Sequence, residues 1–288
     1  MSLHLALTQQ IPYRAARHEY FSRSSILARE YKPEGVIAAI PTPFTRDDAV
    51  DESALRAIID FLLEKGIHGI MTTGGNGEFP HLMHEERKQV AETAIDEVAG
   101  RVPVIVCTAS CSTKETIILS QHAKECGADA IIIVPPYYYN LHEDSVLEHF
   151  QRVSYTVDLP LVVYNNPEYT GSNITAELMR RLSDIPGIVG LKQSNYNISQ
   201  TLEIIRLTGD KISVLTGIDS QLVPVTLVGG RGIFSTAACV IPKEIIAAYE
   251  ASKRGDAVEA SEIQMRIQIL NRFFEYDPGY VAPCKESL

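Results

Sequence analysis

The stretch Pro186-Gly187-Ile188-Val189-Gly190-Leu191-Lys192-Gln193-Ser194 sets four apolar or small residues directly before a lysine. Ile188 to Leu191 show no polar alternation, the pattern of a strand covered on both faces, as in a parallel sheet. Lys192 therefore falls at the end of a buried strand. An ammonium is poorly solvated there, and desolvation favours the neutral amine that Schiff-base chemistry needs. A lone strand-end lysine also has a structural reading, in which its stem covers the strand tip and its head reaches water. The neighbouring segments decide between the two.

On either side of this stretch, from Gly35 onward, short apolar runs alternate with amphipathic ones, the signature of repeated strand-helix units. Strands are predicted over 36–40, 68–73, 104–108, 130–134, 161–164, 188–192, 213–216 and 232–235. Helical periodicity is clear over 53–65, with Leu55, Ile58, Ile59 and Leu62 on one face, and over 84–98, with Val90, Ala91, Ala94 and Val98. Asp51 and Thr175 read as helix N-caps, and Gly66 and Gly127 follow helix ends. Successive strand ends lie roughly 25 to 35 residues apart, closing to about 20 before the eighth, which suits one strand plus one helix.

Eight such units favour a closed barrel over an open doubly wound sheet. The first strand also runs into Pro41-Thr42-Pro43-Phe44 rather than a glycine-rich turn. The predicted fold is α/β, a (β/α)8 TIM barrel over residues 35–254, with an N-terminal extension (1–34) and a C-terminal helical extension (255–288). Helices are predicted at 242–254 and 256–274, and the second of these begins the extension.

The chain has 288 residues, 45% hydrophobic and 22% charged, with a formal charge of -10. This suits a globular protein with a large core, and the negative field argues against nucleic acid or an anionic membrane as main partner. Small-molecule work is left. Cys107, Cys111, Cys126, Cys239 and Cys284 contain no CxxC and no Cys/His cluster at zinc spacing, so free thiols, a cytoplasmic location and no metal are expected. No apolar run has the length of a membrane span. Residues 1–33 carry five basic residues against Glu19 and Glu30, which fits an organelle-targeting peptide in part. The two acids favour an extension packed on its own or a neighbouring subunit.

Barrel enzymes react at the C-terminal ends of their strands. Here those ends carry Pro41-Thr42-Pro43, Gly74-Gly75-Asn76-Gly77-Glu78-Phe79, Cys107, Tyr137-Tyr138-Tyr139, Tyr164-Asn165-Asn166-Pro167, Lys192, Gly217 and Phe234-Ser235. In the glycine-rich loop consecutive N–H groups can converge on an anion. A carboxylate fits better than a phosphate, because the Lys-Ser/Thr ending and the longer glycine spacing of a P-loop are missing. The structural alternative is a tight turn needing positive φ. Tyr164 ends strand five, one unit before Lys192, so the two are neighbours at the barrel mouth. A phenol beside a cationic imine is a proton carrier, whereas a structural tyrosine would bond a backbone group. Tyrosines 137 to 139 read as a subunit-interface or core cluster.

Together these residues resemble the dihydrodipicolinate synthase/N-acetylneuraminate lyase family of Schiff-base aldolases. The resemblance runs from about Gly35 to Leu288 and rests on Gly77-Glu78, Pro136-Tyr137-Tyr138, Tyr164-Asn165 with Pro167, residues 187–194, and Gly229-Gly230-Arg231-Gly232-Ile233-Phe234-Ser235. It implies that Lys192 forms an imine with the keto carbon of pyruvate or a longer 2-oxo acid while Tyr164 shuttles protons at the carbon–carbon bond. It implies a substrate-binding set of Gly75, Asn76, Gly77, Phe234, Ser194 and Tyr169, the loop backbone holding the carboxylate. Tyr138 is expected across a tight dimer, within a homotetramer built from two such dimers. The lysine imine is the electron sink, so no metal or organic cofactor is required.

Two departures bear on the second substrate, an aldehyde. Tyr169 stands where dihydrodipicolinate synthases carry an arginine for the carboxylate of aspartate semialdehyde. Gly75 stands where many members have a serine or threonine hydroxyl linking a tyrosine relay, so any relay here runs through water or another group. The loop Asn76-Gly77-Glu78-Phe79-Pro80 with Leu82 looks like that of 4-hydroxy-2-oxoglutarate aldolases, and Glu78-Phe79 also occurs in 2-keto-3-deoxygluconate aldolases. The expected function is therefore a pyruvate aldolase acting on a 4-hydroxy-2-oxo acid or a 2-keto-3-deoxy sugar acid. Dihydrodipicolinate synthase and a sugar-acid dehydratase are the alternatives within the family. A non-catalytic keto-acid-binding regulator is the alternative of another class. Ala282-Pro283-Cys284-Lys285 resembles the start of the family's penultimate helical region, so the C-terminal extension is expected to be incomplete.

Overall fold

The computed structural model describes residues 31–273, 275 and 279–288. Most of the N-terminal extension, residues 1–30, lies outside the described residues. Eight strands, β1 (Gly35–Ala39), β2 (Gly69–Thr72), β3 (Val104–Cys107), β4 (Ala130–Ile133), β5 (Leu161–Asn165), β6 (Ile188–Gln193), β7 (Ser213–Thr216) and β8 (Gly232–Ser235), pair in chain order and close on themselves. Every pair is parallel. All eight strands are buried along their whole length, because barrel side chains fill one face and helices cover the other. The predicted (β/α)8 TIM barrel is the fold observed.

The outer ring consists of α1 (Glu52–Glu64), α2 (His84–Val98), α3 (Thr113–Glu125), α4 (Glu143–Val157), the short α5 (Pro167–Thr170), α6 (Ala176–Leu182), α7 (Ile198–Thr208), α8 (Leu222–Leu227) and α9 (Pro242–Lys253). α1 buries Leu55, Ile59 and Leu62, three of the four residues read as its apolar face. The Asp51 carboxylate accepts from the Ala54 amide at 3.0 Å, and the Thr175 hydroxyl accepts from the Leu178 amide at 3.1 Å, so both predicted caps hold a first turn. Gly66 and Gly127 follow α1 and α3 with φ of 80° and 92°.

At the base of the barrel, Tyr31 packs against the core and the Pro33 ring rests on Gly190. At the top, the C-terminal segment returns. α10 (Ala257–Asn271) packs on α9, and α11 (Val281–Glu286) lies against the loop after β2. Lys285 pairs with Glu78 at 2.5 Å, with its ammonium 4.3 Å from the centre of the Phe44 ring. The Asn76 amide meets the Cys284 sulfur at 3.5 Å. The C-terminal segment is thus part of the barrel mouth. Among the described residues no helix is long and apolar enough to cross a membrane.

Closure of the barrel rests on one crowded contact. Gly232 opens β8 opposite Gly35 with φ 137°, and a Cβ there would lie 2.0 Å from the Gly35 carbonyl oxygen. Gly232→Ala is expected to separate β1 from β8 and to cost about 3 kcal/mol or more, measured as a loss of unfolding free energy in urea. A change below about 0.5 kcal/mol would show that the seam carries no such load.

Candidate active site

Parallel register sets Tyr164 of β5 directly opposite Lys192 of β6, with Leu215 of β7 on the far side. One residue further, Asn165 pairs with Gln193, and their side chains bond at 2.9 Å while Asn165 Oδ1 accepts the Ile174 amide at 2.9 Å. This buried lock fixes the two strand ends to each other. Lys192 is 5% exposed and Tyr164 is 4% exposed. The lysine Nζ stands 4.2 Å from the centre of the Tyr164 ring, 5.7 Å from that of Phe234 and 3.8 Å from Met71 Sδ. Lys192 does not snorkel. Its amine is held by two aromatic faces and a thioether, and among the described residues it forms no ion pair.

Room for that side chain comes from Gly217, just after β7. A Cβ there would lie 2.8 Å from Lys192 Cε and 2.0 Å from Ser194 Oγ. The Tyr164 hydroxyl accepts from Asn166 Nδ2 at 3.1 Å, so its partner is a side chain and not the backbone. Its own proton stays available for transfer.

The glycine-rich loop is built differently from the tight turn of positive φ considered above. The left-handed residues are Thr73 (φ 51°) and Glu78 (φ 57°), which flank the glycines. For the β-branched Thr73 this is a strained conformation, held by hydrogen bonds from its hydroxyl to the carbonyls of Thr72 and Cys107. Thr42 donates to the Gly77 carbonyl at 2.8 Å and Asn76 Nδ2 to the Ala39 carbonyl at 2.7 Å, pinning the loop to β1. Gly75 Cα faces the Tyr164 hydroxyl, since a Cβ there would lie 3.8 Å from it. The Gly75 and Asn76 amides donate to no group among the described residues, so both remain open to an anion.

Lys192 lies at the floor of a cavity of about 250 Å³, sized for a small molecule. Asn76, Tyr164, Ser194 and Tyr169 all line it, as does Gly217. Phe234 is buried beside the lysine. Tyr138 is not brought to this cavity by its own chain: it is 84% exposed, at φ 85°, with its ring edge-on to Tyr139.

Sequence reading missed Asp219, Glu275 and Tyr280, which also line the cavity. Asp219 is buried just past β7, accepting from the Ser235 hydroxyl and from the Ala237 amide at 3.4 Å. Burial pushes its carboxyl up to about 7, against the hydrogen bond from Ser235. An acid three residues after a barrel strand was the available signal. Glu275 accepts from the Ser220 amide at 2.7 Å, and burial raises its carboxyl too. Tyr280 reaches the mouth from the C-terminal segment, with its ring edge-on to Tyr169 at 6.1 Å. Barrel periodicity holds no signal for either.

A (β/α)8 barrel with a lysine and a tyrosine on adjacent strands at its mouth defines a barrel enzyme, and the comparisons with known proteins give its class as a lyase. The chain belongs to the Dihydrodipicolinate synthetase family, whose family model matches residues 32–288. It is 36% identical over 260 residues to a 4-hydroxy-tetrahydrodipicolinate synthase of Methanospirillum hungatei, covering 88% of this chain and 89% of the relative. A synthase of the same name from Methanoculleus marisnigri is 38% identical over the same shares. Among solved structures, a prophage protein of E. coli K12 from the dihydrodipicolinic acid synthase family, in complex with pyruvate, superposes with a TM-score of 0.85. That protein is 33% identical, over 88% of this chain and 87% of its own. The dihydrodipicolinate synthase of Aquifex aeolicus gives a TM-score of 0.82 at 36% identity, over 85% of each chain.

Asp219 makes a pH-dependent prediction. Its folded carboxyl titrates near 7 instead of the usual 3.8, so over that interval the folded chain holds a proton that the unfolded chain has released. The contribution to stability is fully present below the ordinary carboxyl value and is lost as pH rises through about 7. Thermal melts of the protein and of Asp219→Asn from pH 4 to 8 should show Tm of the parent declining relative to the variant across this window. Parallel curves would refute the assignment.

Proposed function

We propose that this chain is a Schiff-base lyase that makes or breaks a carbon–carbon bond between pyruvate and an aldehyde, with Lys192 as nucleophile and Tyr164 as proton carrier. The observation that carries the reading is the buried amine of Lys192, in no ion pair among the described residues, set 4.2 Å from the Tyr164 ring. In cleavage, Lys192 Nζ attacks the keto carbon of the 2-oxo acid and water leaves, giving the imine. Tyr164 takes the proton of the C4 hydroxyl, the C3–C4 bond breaks and the aldehyde departs. The electron pair settles in the enamine, C3 is protonated, and hydrolysis returns pyruvate and the free amine. Synthesis runs the same steps backwards. The amides of Gly75 and Asn76 are placed to receive the carboxylate, with Gly77 keeping the loop against Thr42, Ser194 lining the wall and Phe234 backing the lysine.

The aldehyde end of the cavity favours a hydroxylated, uncharged partner, as released from a 2-keto-3-deoxy sugar acid. Among the described residues the lining of the whole cavity includes Glu168, Asp219 and Glu275 but no cation other than Lys192, together with Asn166, Tyr196 and Thr236 as hydrogen-bonding groups. A second reading, condensation of pyruvate with aspartate semialdehyde, is favoured by the relatives, since those quoted are named as synthases. It leaves the semialdehyde carboxylate facing Tyr169 rather than a cation. For assembly, the exposed Tyr138 and Tyr139 support a second copy covering this face, in a dimer within a homotetramer.

Borohydride reduction in the presence of pyruvate should attach the three-carbon adduct to Lys192, and Lys192→Ala should lose it. Tyr164→Phe should keep the adduct while turnover falls by about 10²- to 10⁴-fold. Failure to trap any 2-oxo acid would sink the reading. Pyruvate release from 2-keto-3-deoxygluconate or 4-hydroxy-2-oxoglutarate, set against pyruvate consumption with aspartate semialdehyde, separates aldolase from synthase. Water loss with the carbon chain intact would identify a dehydratase. Tyr138→Ala should sediment as a smaller species than the parent, and an unchanged sedimentation coefficient would remove Tyr138 from the dimer contact.

A further inference from the structure

One tyrosine of the C-terminal segment stands where the glycine-rich loop has no side chain. A Cβ built on Gly75 would lie 2.5 Å from the Tyr280 hydroxyl oxygen and 3.8 Å from that of Tyr164, so both hydroxyls close on the same small volume. Gly75 is not among the residues with positive φ, so its backbone does not require glycine. What requires glycine is the space, and Tyr280 occupies it.

We propose that Tyr280 is a positioning residue for Tyr164: its hydroxyl, admitted by the missing side chain of Gly75, holds the Tyr164 oxygen while that oxygen carries protons to and from substrate. This rests on the Schiff-base reading above. When Tyr164 gives up its proton, its phenolate oxygen needs donors in a site shielded from water. Asn166 Nδ2 supplies one, already directed at it at 3.1 Å. The Tyr280 O–H supplies the second. Burial raises the Tyr280 phenol well above its ordinary value, so its hydroxyl stays protonated and able to donate. No covalent bond forms or breaks at Tyr280, and the transferred proton belongs to Tyr164. The ring is kept in place by its edge-on contact with Tyr169 and by α11, which is clamped to the loop through Lys285–Glu78 and Asn76–Cys284.

The pair makes a reciprocal test possible. A serine at 75 would clash with the Tyr280 hydroxyl, but with phenylalanine at 280 that oxygen is gone, and the ring carbon that bore it lies 3.8 Å from the new Cβ. The serine hydroxyl could then reach Tyr164. The experiment uses pyruvate alone, with two readouts: borohydride trapping on Lys192, and the rate at which solvent deuterium enters the pyruvate methyl group by NMR. Trapping reports the imine and exchange reports proton transfer after it.

Tyr280→Phe should trap at the same half-saturating pyruvate concentration yet exchange about tenfold or more slowly. Gly75→Ser should lose exchange as well. The double variant Gly75→Ser/Tyr280→Phe should exchange faster than either single variant, which a loss of folding or packing in the parts would not produce. Full exchange in Tyr280→Phe, or a double variant no better than the worse single, would overturn the proposal while leaving the Schiff base standing. A parent chain that neither traps nor exchanges pyruvate would remove the underlying reading and this inference together.

Discussion

The site depends on how Lys192 is buried without a salt-bridge partner among the described residues. Carboxylate partners usually accompany a buried lysine, since removing an ammonium from water is costly unless it is paired. Here the amine is met by the rings of Tyr164 and Phe234 and by the Met71 sulfur. Unlike an ion pair, these soft contacts leave the amine unbound to any anion. The barrel provides this cheaply, because β5, β6 and β8 each carry one of the tyrosine, lysine and phenylalanine near their C-terminal ends. The Asn165–Gln193 lock then prevents either strand end from slipping.

Several choices in the sequence that read as backbone requirements are allocations of volume. Gly217 gives its side-chain space to the lysine stem, and Gly75 gives its space to a tyrosine hydroxyl arriving from the end of the chain. The strained φ angles sit on Thr73 and Glu78, where hydrogen bonds and the Lys285 ion pair hold them. Strain and space are thus separated along one six-residue loop. The flanks fix its path, and the middle is left thin enough for ligand and neighbour to approach.

Most of the barrel was legible because its strands are buried on both faces and read as uninterrupted apolar runs, from which strand order and the adjacency of Tyr164 and Lys192 follow. The predicted strand ends erred by a residue or two, as at Thr73, where the chain turns left-handed instead of continuing β2. What the sequence concealed is whatever crosses the barrel's own period. Tyr280 and Cys284 reach Gly75 and Asn76 from about 200 residues away, and no periodicity encodes such a return. Asp219 was visible as an acid beyond β7, but its burial and its bond from Ser235 depend on how the segments after β7 and β8 fold against each other, which strand order alone does not encode.

The acids of the cavity bear on selectivity. Burial pushes the Asp219 carboxyl up to about 7, so near neutral pH it is a poorer anion and a better hydrogen-bond donor than an exposed acid would be, and burial raises the Glu275 carboxyl as well. A wall of carboxyls, amides and hydroxyls can donate to and accept from an alcohol, the pattern a polyhydroxylated aldehyde presents. It offers little to a second carboxylate, which would meet the acids and, among the described lining residues, no cation other than Lys192. Charge therefore discriminates more sharply than shape in a cavity this small, since misplacing one carboxylate costs more than one misplaced methylene.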